Sequence, residues 1–271
     1  MFGRGRIETK SDAELVLMRQ AGLVVARTLQ SLRDAAAPGV TTGELNDFAH
    51  ERIREQGATS NFLGYHGFTG VICTSVNEEI VHGIPGDRVL RDGDVLSIDC
   101  GAIVDGWHGD AAITVEVGTV SDAAAELSRV TEAALWAGIA AMATGARVGD
   151  ISHAIESSID AAGDYGITEP FTGHGIGREM HMDPDVPNSG RAGRGPRLTE
   201  GVTLAIEPMV TLGSAQARIL EDGWTAVTPD SVLAAHWEHT VARTGSGVWV
   251  LTAEDGGAAR LGELGVPFGA L

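Results

Sequence analysis

The chain has 271 residues, 43% of them hydrophobic, a formal net charge of −18 and a pI near 4.7. That length supports one large core or two small ones, and no run approaches the ~20 apolar residues of a membrane helix. So negative a field repels phosphate backbones and disfavours nucleic-acid binding, while two cysteines, Cys73 and Cys100, make no disulfide framework. Met1–Arg6 is too short and polar for a signal peptide. The expectation is a cytoplasmic protein.

Ser11-Asp12-Ala13-Glu14 has the form of a capping box and opens a helix running to about Ala37. Leu15, Met18, Leu23, Val25, Leu29 and Leu32 recur along it at roughly helical spacing. Pro38-Gly39 stops it, and Thr42-Gly43-Glu44 opens a second helix through Gln56. Strands are expected at 70–75, 95–99 and 111–117. The order then repeats: Ser121 caps a helix to Ala143, and Gly149-Asp150-Ile151 starts another, through about Ala162.

Two pairs of segments line up. Pro38-Gly39-Val40-Thr41-Thr42-Gly43-Glu44-Leu45 matches Thr144-Gly145-Ala146-Arg147-Val148-Gly149-Asp150-Ile151 in its glycines, acid and apolar residue. Asp92-Gly93-Asp94-Val95-Leu96-Ser97-Ile98-Asp99 matches Glu200-Gly201-Val202-Thr203-Leu204-Ala205-Ile206-Glu207 as acid, glycine, apolar strand and terminal carboxylate. The expectation is a duplicated helix–helix–strands unit, repeats at about 11–118 and 121–250, within one catalytic domain over 1–252. Arg191–Arg197 reads as a flexible surface loop. The Gly/Ala-rich stretch 253–271 reads as a peripheral tail.

The chemistry lies in carboxylates on apolar strands. Asp99 ends Val95–Ile98, and Asp110 follows eleven residues later. Within one strand that odd spacing puts them on opposite faces, so a turn through Asp105-Gly106 must bring them side by side. Glu207 ends Leu204–Ile206, and Glu238 sits in Ala235-His236-Trp237-Glu238-His239-Thr240. Four converging carboxylates repel one another unless cations lie between them. Hard oxygen donors plus an imidazole suit a dinuclear site for Co, Mn, Fe or Zn.

Histidines supply the rest. Phe171-Thr172-Gly173-His174-Gly175-Ile176-Gly177-Arg178-Glu179-Met180-His181 sets two of them among glycines, which leave room for close approach. His82 lies in Val81-His82-Gly83-Ile84-Pro85. His82 and His181 would flank a bound substrate, one from each half.

Together these motifs resemble methionine aminopeptidase of the bacterial type I class. The resemblance runs from about Glu8 to Leu251, through Asn61–Gly67, Asn77–Pro85, Ser97–Asp99, Trp107–Ala111, Gly173–His181, Ala205–Met209 and Trp237–Thr240. It implies an α/β (α+β) pita-bread fold, two pseudo-symmetric helix–helix–sheet halves around a dinuclear metal site. The ligands it implies are Asp99, Asp110, His174, Glu207 and Glu238. Asp99 would chelate one ion, Asp110 and Glu238 would bridge, and His174 with Glu207 would hold the other.

The implied reaction removes the N-terminal methionine of nascent polypeptides and peptides, preferring a small second residue. Two cations would lower the pKa of a shared water. Glu207 would relay a proton, His181 would bond the carbonyl oxygen, and His82 would contact the scissile nitrogen or position the peptide. Tyr65, Cys73, Met180 and Trp224 would line the methionine pocket, with Phe62, His66 and Phe68 near its mouth. Phe62, Phe68 and Met180 depart from the commonest bacterial pattern. The expected form is a monomer with no membrane association and no nucleic-acid specificity, touching ribosomes transiently through its catalytic domain. The rivals are a prolidase or aminopeptidase P of the same fold, a binding module that has lost catalysis, and a metal-free hydrolase using a carboxylate pair.

Overall fold

The computed structural model describes residues 7–271, so the Met1–Arg6 segment read for a signal peptide lies outside the described residues. Chain order in the first half is α1 (Asp12–Ala35), α2 (Thr42–Glu55), β1 (Thr59–Ser60), β2 (Ile72–Val76), β3 (Glu79–Val81), β4 (Val95–Val104) and β5 (Trp107–Glu116). The second half begins with α3 (Asp122–Thr144) and α4 (Val148–Ala162), then the short strands β6 (Gly166–Ile167), β7 (Gly173–Gly175) and β8 (Met182–Val186). After them come β9 (Thr203–Ile206), β10 (Met209–Thr211), β11 (Arg218–Ile219), β12 (Ala226–Val227) and β13 (Ala234–His236). The last elements are β14 (His239–Arg243), β15 (Val248–Val250) and α5 (Ala258–Glu263).

Side-chain caps set the helix starts. Glu14 Oε2 accepts from the Ser11 N–H at 2.9 Å, and Ser11 Oγ accepts from the Glu14 N–H at 3.4 Å. Thr41 and Glu44 repeat this for α2 at 2.7 and 3.1 Å, so the cap is Thr41, one residue before the start read from the sequence. Each such cap satisfies N–H groups that the helix cannot and stabilises it by about 1 kcal/mol.

The buried face of α1, with Leu15, Met18, Val25, Leu29 and Leu32, packs on the β4–β5 hairpin. Contact is closest at two glycines. A Cβ on Gly109 would lie 2.8 Å from the Gly22 nitrogen, and one on Gly22 would lie 2.1 Å from the Leu251 carbonyl oxygen. Helix and strand touch there because neither residue has a side chain.

The two halves use the same backbone bonds. In the first, the Thr42 N–H donates to Arg88 O at 2.9 Å, Gly43 to Gly86 O at 2.8 Å, and Leu90 to Val40 O at 2.8 Å. In the second, Val148 donates to Pro196 O at 3.0 Å, Gly149 to Arg194 O at 2.9 Å, and Leu198 to Ala146 O at 2.9 Å. The strand entries match as well. Gly93 donates to Val117 O and Val117 to Asp94 O, both at 2.9 Å, while Gly201 donates to Arg243 O at 2.8 Å and Arg243 to Val202 O at 2.9 Å. Gly43 and Gly149 thus occupy equivalent places, as do Gly93 and Gly201, whereas Gly39 (φ 96°) and Gly145 (φ −74°) do not.

The segments expected to be loose are tied down. The 191–197 loop is exposed but anchored to the start of α4: Gly193 N–H donates to Asp150 Oδ1 at 2.6 Å and Arg147 Nη1 to Gly195 O at 2.7 Å. Residues 253–271 carry α5, whose Leu261 is fully buried, and return beside β15, where Val248 N–H donates to Pro267 O at 3.2 Å. Among the described residues, no helix is long and apolar enough to cross a membrane.

Candidate metal centre and active site

The first two acids come from one hairpin. Asp105 (φ 50°) and Gly106 (φ 76°) form a two-residue turn with both central residues left-handed, which suits strand twist. The register pairs Asp99 with Ala112 and Gly101 with Asp110. The carboxylates therefore share one face as diagonal neighbours. Asp99 does not end its strand, as the sequence reading had it. β4 runs on to Val104, and β5 begins at Trp107, because the turn lies six residues beyond Asp99.

The remaining donors come from the second half. His174 lies on β7 opposite Ala205, Glu207 follows β9 directly, and Glu238 sits between β13 and β14. A buried seam joins them to the first hairpin. Asp110 N–H donates to Thr240 Oγ1 at 3.0 Å, Glu238 N–H to Ala112 O at 2.9 Å, and Thr114 Oγ1 to His236 O at 2.8 Å. Residues 110, 112 and 114 thus meet 240, 238 and 236 in antiparallel order, which carries Asp110 and Glu238 together.

Asp110 and Glu238 are buried, whereas Asp99 and Glu207 keep a little surface toward the cavity. Burial pushes the Asp99 carboxyl up to about 7. Burial, and then repulsion from the neighbouring carboxylates, raises Asp110, Glu207 and Glu238 as well. Asp99 Oδ1, Asp110 Oδ1 and Glu238 Oε1 are buried without a hydrogen-bond partner among the described residues.

His174 is held neutral by burial and by His181, its pKa lowered to about 4. Its Nδ1 lies 2.9 Å from Gly175 O; a carbonyl only accepts, so Nδ1 carries the proton. That leaves the Nε2 lone pair facing Glu207 Oε1 at 3.5 Å. Asp110, His174 and Glu238 each offer an atom within 4.8 Å of one another, and so do Glu207, His236 and Glu238. Orphaned carboxylate oxygens beside unprotonated imidazoles fit divalent cations: two would balance the four negative charges.

A cavity of about 140 Å³ opens from this cluster. Asp99, Asp110, His174, Glu207 and Glu238 line one end; Phe62, Tyr65, Phe68, Cys73, Met180 and Trp224 line the other, with His82 and His181 also on its wall. His181 touches both ends. Its ring is 4.4 Å from that of His174, and its Nδ1 is 2.7 Å from the Tyr65 hydroxyl. His82 adopts φ 61°, a strained region for a non-glycine residue that costs about 1–3 kcal/mol. Its ring meets Phe171 at 5.6 Å and Trp224 at 6.2 Å, and burial holds it neutral, with a pKa near 4.

Of the residues singled out in the sequence, His66 is the one outside this wall. It is exposed, its ring against the outer side of Tyr65 at 4.4 Å. The sequence reading passed over His236, whose ring joins the acids. The signal for it was available: it stands two residues before Glu238, so on an extended segment both side chains point the same way.

The family model for metallopeptidase family M24 matches residues 16–244. The chain belongs to that family. It is 53% identical over 256 residues to methionine aminopeptidase 1 of Mycobacterium tuberculosis, covering 92% of this chain and 96% of the relative. The crystal structure of methionine aminopeptidase from Thermotoga maritima matches with a TM-score of 0.90 at 41% identity, over 92% of this chain and all of that one. Prolidase from Pyrococcus furiosus shares the fold at a TM-score of 0.73 and 20% identity, but this chain covers only 65% of it. The α/β pita-bread fold and the type I resemblance both stand, and M24 is a family of metallopeptidases.

Proposed function

We propose that the chain hydrolyses the peptide bond after the N-terminal methionine of nascent proteins and peptides, using two divalent cations held by Asp99, Asp110, His174, Glu207 and Glu238. One observation carries the reading: four carboxylates, three of them (Asp99, Asp110 and Glu238) with an orphaned buried oxygen, end a cavity whose other end is aromatic and sulfur-lined. Residues 1–252 act as one catalytic domain built from repeats at 11–118 and 121–250. The matched backbone bonds of the two halves support that duplication.

Cations bound there would supply a water of lowered pKa and a positive charge beside the scissile carbonyl. The chain's own residues do the rest. The Tyr65 hydroxyl lies 2.7 Å from Nδ1 of His181; in the tautomer where the hydroxyl donates, Nε2–H is free to donate to the carbonyl oxygen as charge builds on it. Burial, and then His66, lowers the His181 pKa, so the ring is a neutral donor. Glu207 takes the proton released by the attacking water and passes it to the leaving nitrogen. His82 orients the peptide from the facing wall.

Phe62, Phe68, Cys73, Met180 and Trp224 receive the methionine side chain. Their rings, thiol and thioether give it apolar, polarizable contact. Preference for a small second residue is part of the proposal and rests on the family relationship. So do a cytoplasmic, monomeric working form and transient ribosome contact; the net charge of −18 argues against tight RNA binding.

The test is release of free methionine from Met-Ala-Ser by cation-free protein to which Co, Mn, Fe and Zn are added in turn, with an Xaa-Pro peptide as the rival substrate. Turnover of the first peptide with at least one cation, abolished by a chelator, is expected. No turnover with any of them, or faster cleavage of Xaa-Pro, would overturn the proposal.

A further inference from the structure

His236 lies inside the carboxylate cluster without a role in the ligand set above. Its backbone is clamped from both sides. The N–H donates to Thr114 Oγ1 at 3.1 Å and to Ser97 Oγ at 3.2 Å, and the carbonyl accepts from Thr114 at 2.8 Å. With that segment extended, the ring and the Glu238 carboxylate fall on the same side. The residue is only 2% exposed.

The Nε2 atom is the informative one. It sits 3.7 Å from Glu207 Oε2 and 3.9 Å from Glu238 Oε2, beyond hydrogen-bond reach of both. Among the described residues it is buried with no hydrogen-bond partner. Leaving such a group unpaired costs about 1–3 kcal/mol, and interiors seldom tolerate it.

The spacing is what a shared cation would span. Metal–nitrogen and metal–carboxylate bonds are about 2.0–2.2 Å long, so two ligands of one ion lie up to about 4.2 Å apart. Both measured separations fall within that limit, and the three donor atoms lie within 4.8 Å of one another. A single cation between them would satisfy the ring nitrogen and relieve the two carboxylates together.

We propose that Nε2 of His236 is a direct ligand of the metal centre, joining Glu207 and Glu238 as its second imidazole beside His174. The inference rests on the metal-dependent reading of the site. A second imidazole also changes the chemistry of the donor set. It moves the centre further from all-oxygen sites, which suit Mg and Mn, toward cations that favour nitrogen, such as Zn and Fe.

Cadmium loaded into the full chain, with isotope-labelled histidine ring nitrogens, tests this by nuclear magnetic resonance. At two equivalents, direct cadmium–nitrogen coupling is expected at two ring nitrogens. His236→Gln should remove one coupling, keep the other, and weaken cadmium binding roughly tenfold or more. His236→Asn serves the same comparison if the first variant does not fold. Coupling at one ring only, or two couplings surviving in the variant, overturns the assignment whatever the affinity does. A chain that binds no cadmium overturns the metal reading and this inference with it.

Discussion

The two ends of the cavity are built by different means. The acids hang on paired strands: Asp99 and Asp110 on a hairpin of two ten-residue strands, and Glu238 on the seam that ties the two halves. The aromatic end hangs mainly on turns, with Cys73 on β2 the exception. Tyr65 lies in a single 3-10 turn with His66 at φ 47°, and Trp224 follows a turn in which Asp222 Oδ1 accepts its N–H at 2.8 Å. Repelling charges must be placed to a fraction of an ångström, which strand register can do. An apolar side chain needs only a slot of the right shape, and loops can supply that.

The comparison breaks most sharply at Glu238. Glu238→Gln should abolish cation loading and lower kcat by roughly a thousandfold or more, the rate equivalent of several kcal/mol. Removing one of several mutually repelling buried acids also relieves strain. The cation-free variant should therefore unfold at no lower temperature than the cation-free parent, while the rise that cations give the parent is lost. A lower melting temperature without cations would make Glu238 a structural residue instead.

His181 stands where the two ends meet. His181→Ala should cost about 100- to 1,000-fold in kcat, the usual effect of losing a donor to a developing oxyanion, with cation content unchanged by elemental analysis. Tyr65→Phe removes only the 2.7 Å bond that orients the ring. Its cost should be about two- to tenfold in kcat, in line with one hydrogen bond. Lost cations in either variant would move that residue to the metal end.

Proton release separates the ends without mutation. The Asp99 pKa is raised to about 7 from an ordinary carboxylate value near 4, so in the cation-free site it still holds its proton between those values. A cation must displace that proton below pH 7 and finds it already gone above. Apparent cation affinity should therefore rise with pH, roughly tenfold per unit for each proton displaced, and go on rising above 7 with one proton fewer to displace, because Asp110, Glu207 and Glu238 are raised as well. Calorimetry in two buffers of different ionisation heat would count the protons. Methionine-analogue binding at the aromatic end should vary far less over the same range.

What the sequence made legible was whatever local chemistry decides. Asp105-Gly106 marks its own turn, and the odd spacing from Asp99 to Asp110 requires one. Gly93 and Gly201 announce equivalent strand entries because both need positive φ. Contacts between segments far apart in the chain stayed hidden. His236 meets Glu207 only after residues 236–240 dock on β5, more than a hundred residues away in sequence. The return of 253–271 was equally obscure, since Leu261 and Phe268 are scattered among glycines and show no period. The strand β4 outran its expected end because Gly101 and Ala102 carry no strong strand signal, yet they pair with β5 all the same.

Met180 carries the smallest and most local prediction. It is 4% exposed in a cluster with Phe62, Phe68 and Cys73, so its thioether touches the slot and no charge. Met180→Leu keeps its volume and loses only the sulfur. Contacts of sulfur with aromatic rings are worth about 0.3–1.5 kcal/mol, so KM for a methionyl peptide should rise about two- to tenfold. Because that contact is the same in ground and transition states, kcat should not move. A fall in kcat at unchanged KM would mean that Met180 acts through His181, its neighbour in the chain, and that the aromatic end also sets the position of the catalytic groups.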